Sequence, residues 1–130
     1  MTGQGARCNG RAIHVSERGS LRDAFLVYSS LEPWLDGPRR GAFEALLHGS
    51  RRNRGFGDFW GHLLVARGAA DVMVESDLAL WDWAALRVIV EEAGGRMTTY
   101  EGSEPAHGTS ILTTNGLLHQ ELVERLSLRA

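Results

Sequence analysis

The chain has 130 residues, 43% of them hydrophobic, and a formal net charge of -2. That length supports one globular domain with a sizeable core and leaves no room for two. The near-neutral balance argues against a nucleic-acid or membrane surface. The lone cysteine, Cys8, excludes an internal disulfide, and no apolar run could span a bilayer, so a cytoplasmic setting is expected.

Taken from the start, Gly5-Ala6-x-x-Asn9-Gly10 is a turn signal, because Asn-Gly suits a type I′ hairpin. Arg11 to Ser16 then alternates as a short strand with Ile13 and Val15 on one face. The continuous apolar run Phe25-Leu-Val-Tyr28 predicts a buried strand. Ser29 to Pro38 carries Pro33, Gly37 and Pro38 and reads as loop. Helical spacing at Phe43, Leu46 and Leu47 predicts a helix over 39–48, ended by Gly49. Arg51 to Arg54 is a short basic strand or connector, read as a solvated edge.

Asp58 is a plausible N-cap for a second helix over 62–67, closed by Gly68. The glycines around it lack G-x-G-x-x-G spacing and no Lys-Ser/Thr follows, which rejects dinucleotide and P-loop readings. Ala70 to Glu75 predicts a strand, with Val72 and Val74 on one face. Arg96 to Thr99 and Thr109 to Thr114 are two more strands, and Asn115 is expected to cap a last amphipathic helix through Leu126. Strands alternating with helices predict an α/β layered domain. The early strands, coming before any clear helix, suggest a mixed sheet flanked by helices. The five histidines share no ligand spacing and read as surface or helix-face residues. The four tryptophans read mostly as core or interface anchors, with Trp83 a candidate wall for a substrate pocket.

The segment Glu75 to Gly95 organises the rest. It reads as a strand end, a short loop and a helix from about Trp81 to the glycine pair Gly94-Gly95, one of which supplies a left-handed C-cap. Apolar residues at Ala85, Leu86, Val88, Ile89, Val90 and Ala93 cover most of its circumference and predict a buried helix. Asp82 falls in the first turn, where free N–H groups favour an anion. It is either a stabilising terminal charge or a metal-ligating or catalytic carboxylate with Glu75 as a second acid. The residues alone leave both open.

Trp81-Asp82-x-Ala84-Ala85 followed by Glu91-Glu92-Ala93-Gly94-Gly95 resembles the C-terminal signature of the inositol monophosphatase family of Mg²⁺-dependent phosphatases. The resemblance runs from the Gly5–Gly10 turn to Thr114-Asn115-x-x-x-His119. It implies the C-terminal half of the inositol monophosphatase/fructose-bisphosphatase-like fold. Gly57-Asp58-Phe-x-Gly, Glu75 and the Thr-Asn-Gly-x-x-His ending resemble the histidinol-phosphate phosphatase branch. The implied reaction is Mg²⁺-dependent hydrolysis of a phosphate monoester, with inositol-phosphate hydrolysis or a catalytically silent domain as alternatives.

By this resemblance Asp82 is a metal ligand and Glu75 faces the alcohol part of the substrate. Asp58, beside Gly57, is placed to meet a substrate ammonium; its alternative role is the N-cap. Arg54 is a further candidate near the substrate, against the plainer reading of a surface arginine. Hard oxygen ligands suit Mg²⁺. The family's upstream acidic ligands, a helical Glu pair and an Asp-Pro-x-Asp-Gly loop, have no counterpart here. Glu32-Pro33-Trp-Leu-Asp36-Gly37 resembles that loop only superficially, because its spacing and position differ. The expectation is a single C-terminal-type phosphatase domain over 1–130. Its site would be completed by an N-terminal half from another chain, or the domain would self-associate.

Overall fold

The computed structural model describes residues 5–56 and 59–127. It opens with a two-stranded antiparallel ribbon, β1 (Ala6–Cys8) and β2 (Arg11–Ile13). Asn9 and Gly10 both take positive φ, 52° and 82°, as the predicted type I′ turn requires. A single 3-10 turn over Leu21–Asp23 leads into β3 (Phe25–Tyr28). The segment 29–38, expected as loop, contains a short helix instead, α1 (Glu32–Leu35). Pro33 sits in its first turn, where a missing N–H costs nothing, and Trp34 is driven into the core. Then follow α2 (Arg40–Gly49), β4 (Arg52–Gly55), α3 (Trp60–Ala66), β5 (Val72–Leu78), α4 (Leu80–Glu92), β6 (Arg96–Thr98), β7 (Thr109–Thr114) and α5 (His119–Leu126).

The main sheet is mixed, in the order β4-β3-β5-β7-β6. Strand β3 runs parallel to β4 and β5, whereas β7 pairs antiparallel with both β5 and β6. Alternation along the strands builds two cores. Leu26, Val72, Val74 and Leu112 face one side, packing with Trp34, Phe43, Leu122 and Leu126 from α1, α2 and α5. Val27, Met73 and Ile111 face the other, packing with Val65, Trp83, Leu86 and Val90 from α3 and α4. The molecule is therefore helix, sheet, helix: the predicted α/β layering.

Two boundaries and one burial pattern differ from expectation. Strand β5 does not stop at Glu75 but runs on to Leu78, with an irregularity in its pairing to β7 between those residues. Helix α5 starts at His119 rather than directly after Asn115, whose Oδ1 accepts the Leu118 N–H at 3.2 Å to close a preceding turn. Helix α4 is buried on one side only. Trp83, Leu86 and Val90 are sealed, while Ala85 and Val88 are exposed and Trp81 is 76% exposed. Its all-round apolar pattern calls for cover on two faces, and the described residues supply one. Gly94 (φ 98°) ends the helix as a left-handed cap.

Asp71, unremarked in the sequence, ties the entry segment to the sheet. Fully buried, it accepts from Ser16 Oγ, from Arg18 Nη1 (3.2 Å) and from the Phe25 N–H (2.7 Å). No helix among the described residues is long and apolar enough to cross a membrane.

Candidate active site

The acids singled out by the sequence come from adjacent elements. Glu75 lies in β5, on the same face as Met73 and so towards α3 and α4. Asp82 lies in the first turn of α4, where its N–H donates to Ala79 O at 2.9 Å. Both line one cavity of about 280 Å³, together with Phe59, Leu78 and Leu86. The helix start presents Asp82 at the mouth, exposed, and its carboxylate has no hydrogen-bond partner among the described residues. The irregular stretch of β5 after Glu75 borders the same cavity, a place where such irregularities re-aim side chains.

Glu75 is different in kind. It is only 5% exposed, and its Oε1 lies 3.0 Å from His62 Nε2. A carboxylate only accepts, so the ring donates from Nε2. The other ring nitrogen lies 2.9 Å from Thr113 Oγ1 and, in the neutral ring, accepts its hydroxyl proton. His62 and Thr113 are fully buried. This excludes the surface alternative for His62 and leaves the helix-face one, on the buried face of α3. The apolar neighbours Leu63, Leu64 and Val65 masked it, because burial of a polar ring depends on partners 13 and 51 residues away. His119 is likewise on a buried helix face, at the start of α5, whereas His14, His48 and His107 are exposed.

Gly61 explains how His62 reaches the sheet. A Cβ at Gly61 would lie 2.3 Å from Met73 Sδ and 3.0 Å from Val27 Cγ1, so only glycine lets α3 come this close. Arg54 lies on edge strand β4, exposed, with Nη1 donating to Asn53 O at 2.7 Å; it is not part of the cavity lining. Gly57 and Asp58 lie outside the described residues, but they immediately precede Phe59 on the cavity wall. Trp83 is packed in the core, its Nε1–H donating to Ala106 O at 3.2 Å, and does not line this cavity. A separate cleft of about 350 Å³ between the β1–β2 ribbon, α3 and α4 is mainly apolar. Among its lining residues Glu92 is the one acid, so it brings no pair of acids together.

As a test for Mg²⁺, the donor set is partial. Among the described residues no group of three His, Cys, Asp or Glu side chains converges to hold a metal ion. Asp82 fits as one hard oxygen ligand; octahedral Mg²⁺ needs further oxygens.

The model of the inositol monophosphatase family matches residues 1–128. Over 115 residues the chain is 43% identical to a histidinol-phosphatase of Mycobacterium tuberculosis, covering 88% of this chain and 44% of that protein. It is 41% identical over 117 residues to a histidinol-phosphatase of Streptomyces coelicolor, covering 90% and 44%. Among solved structures, an inositol monophosphatase from Anabaena superposes with a TM-score of 0.85 at 31% identity, covering 95% of this chain and 51% of that one. The chain thus spans less than half the length of the two curated relatives and matches their C-terminal half.

Proposed function

Because the chain belongs to the inositol monophosphatase family, we propose that it supplies the alcohol-facing wall of a Mg²⁺-dependent phosphate monoester hydrolase. The substrate is an amino-alcohol phosphate of the histidinol phosphate type. The observation that carries this reading is the convergence of Glu75 and Asp82 on one cavity, from a strand and from a helix start.

In this reading Asp82 is a ligand to the metal, held ready by the helix start and free of competing side chains. Asp82 would help hold the Mg²⁺, whose chemistry when bound would be polarisation of a phosphoryl oxygen and acidification of water. Glu75 accepts a hydrogen bond from the alcohol moiety, and its place on a sheet strand keeps that acceptor fixed. Gly57 and Asp58 are assigned to the substrate side by their position in the chain just before Phe59, and Asp58 would face an ammonium that a polyol lacks; Arg54, exposed on β4 outside the cavity lining, keeps the plainer reading of a surface arginine.

One carboxylate ligand leaves Mg²⁺ largely hydrated, so the remaining ligands come from polypeptide equivalent to the rest of the relatives' length. The exposed outer face of α3 and α4, with Trp60 45% and Trp81 76% exposed, supports such a partner, since both are aromatic and stand on the uncovered side. Cytoplasmic histidine biosynthesis is the setting that this substrate implies.

The test is phosphate release from histidinol phosphate and from inositol phosphate, with Mg²⁺ or chelator, by the chain alone and with a polypeptide equivalent to the relatives' other half. Chelator-sensitive release that favours histidinol phosphate and drops at least about 100-fold in Asp82→Asn is expected. Release insensitive to chelator or to Asp82→Asn would refute the assignment.

A further inference from the structure

Glu75 has two oxygens and they are not equivalent. Oε1 is taken by His62 Nε2 at 3.0 Å. Oε2 has no hydrogen-bond partner among the described residues, yet no buried side-chain oxygen or nitrogen among them lacks a partner. Among the described residues Oε2 is thus left for another partner, and the space that Glu75 borders is the cavity shared with Asp82.

Behind Oε1 the arrangement continues. His62 Nδ1 rests on Thr113 Oγ1 at 2.9 Å, and the three side chains come from α3, β5 and β7. An imidazole bonded at both nitrogens cannot turn without breaking both bonds, in a place where no water replaces them. The close seat of α3 over Met73, which Gly61 alone permits, holds the ring against the sheet.

We propose that His62, backed by Thr113, is a positioning residue. It fixes the Glu75 carboxylate so that one oxygen alone faces the cavity, presenting a single acceptor to a donor group on the substrate. The Glu75 carboxylate sets the ring in the tautomer that donates from Nε2, and Thr113 Oγ1 holds the other nitrogen at 2.9 Å. A carboxylate free to rotate would offer either oxygen at varying positions and would discriminate less between substrates whose donors differ in place. His62 itself touches Glu75 rather than the substrate. The inference rests on the phosphatase reading for the identity of the ligand, and on geometry for the rest.

The test uses the full chain with ¹⁵N-labelled histidine. Long-range ¹H–¹⁵N spectra should show the His62 ring in one tautomer protonated at Nε2. Thr113→Val should shift the Nδ1 signal, which loses its hydroxyl partner, while Nε2 stays protonated, and Thr113→Ser should restore it. A ring that averages between tautomers in the unmodified chain, or whose Nδ1 signal ignores Thr113→Val, overturns the proposal. Titration with histidinol should shift the His62 ring nitrogens and leave those of His119 in place, and Glu75→Gln should abolish the shift. A His62 ring that ignores histidinol overturns it as well.

The two readings fail separately. Should the ring behave as described while no phosphate is released from either ester under any condition, the hydrolase reading fails and the positioning role stands. Where phosphate is released, His62→Leu should raise KM for histidinol phosphate by about 10-fold more than it lowers kcat. Unchanged KM with a normal fold would overturn the positioning role alone.

Discussion

On strand β7, Thr113 and Thr114 point to opposite faces of the sheet, and each holds a buried imidazole: His62 on the α3 side, His119 on the α5 side. His119 is hydrogen-bonded only to neutral groups. The Thr98 hydroxyl donates to Thr99 O at 2.7 Å, so Thr98 Oγ1 must accept from His119 Nε2–H, also at 2.7 Å. His119 Nδ1 then accepts from Thr114 Oγ1 (2.9 Å), which accepts from the Gly116 N–H (2.9 Å). Every proton in that chain is assigned, and its residues line neither of the cavities described above. His62 ends instead on a carboxylate with one oxygen facing a cavity. Burial and hydrogen-bond count are the same at the two rings. What separates structural from site-directed is where the chain of bonds ends.

The sharpest break in this comparison is His119→Ala. It removes two buried bonds, strands the Thr98 and Thr114 hydroxyls and leaves a void among β6, β7 and α5. Together these should cost roughly 3–4 kcal/mol, read as a lowered urea midpoint. Glu75 and Asp82 should be untouched, so the His62 ring signals should keep their positions. A loss under about 1 kcal/mol would mean that the threonine–histidine chain contributes little.

The pH dependence follows from the same ring. Burial, reinforced by the positive charge of Arg96, pushes the His119 imidazole down from 6.5 to about 4. In the unfolded chain the ring takes up its proton near 6.5, while the folded ring resists until about pH 4. Between those values the unfolded state binds more protons, so stability is full above about 6.5 and falls as pH drops towards 4. The gap corresponds to on the order of 3 kcal/mol at 1.36 kcal/mol per unit. Urea unfolding from about pH 7.5 to about 4.5, which spans most of the window, should show this slope, and His119→Gln should flatten it. An equal slope in both proteins would assign the effect to other groups.

How much of this was legible in the sequence depends on range. Asn9-Gly10, the Gly94 cap and the 109–114 strand are set by residues next to one another, and all three formed as read. Asp82 in a helix first turn and Glu75 near a strand end were legible for the same reason, and the Trp-Asp-x-Ala-Ala signature pointed to the family that the matches bear out. The histidine chains were not legible, since His62 meets Thr113 across 51 residues and His119 meets Thr98 across 21. The half-exposed state of α4 was hidden for a further reason. An all-round apolar pattern reports that a helix needs cover, not which polypeptide provides it.

Gly61→Ala sharpens the contrast from the other side. An added methyl would meet Met73 Sδ at 2.3 Å and Val27 Cγ1 at 3.0 Å. The thioether is flexible, but Met73 is fully buried and has little room to yield, so α3 must lift slightly from the sheet. Overpacking of this kind costs about 1–3 kcal/mol, less than the loss expected at His119. Its local effect should be more telling than its size. Lifting α3 lengthens the His62–Glu75 bond, so the ¹⁵N signals of His62 should shift while those of His119, anchored to the opposite face, stay fixed. Equal shifts at both rings would show that the sheet transmits the strain. In that event the two imidazoles form one mechanical unit rather than two independent ones.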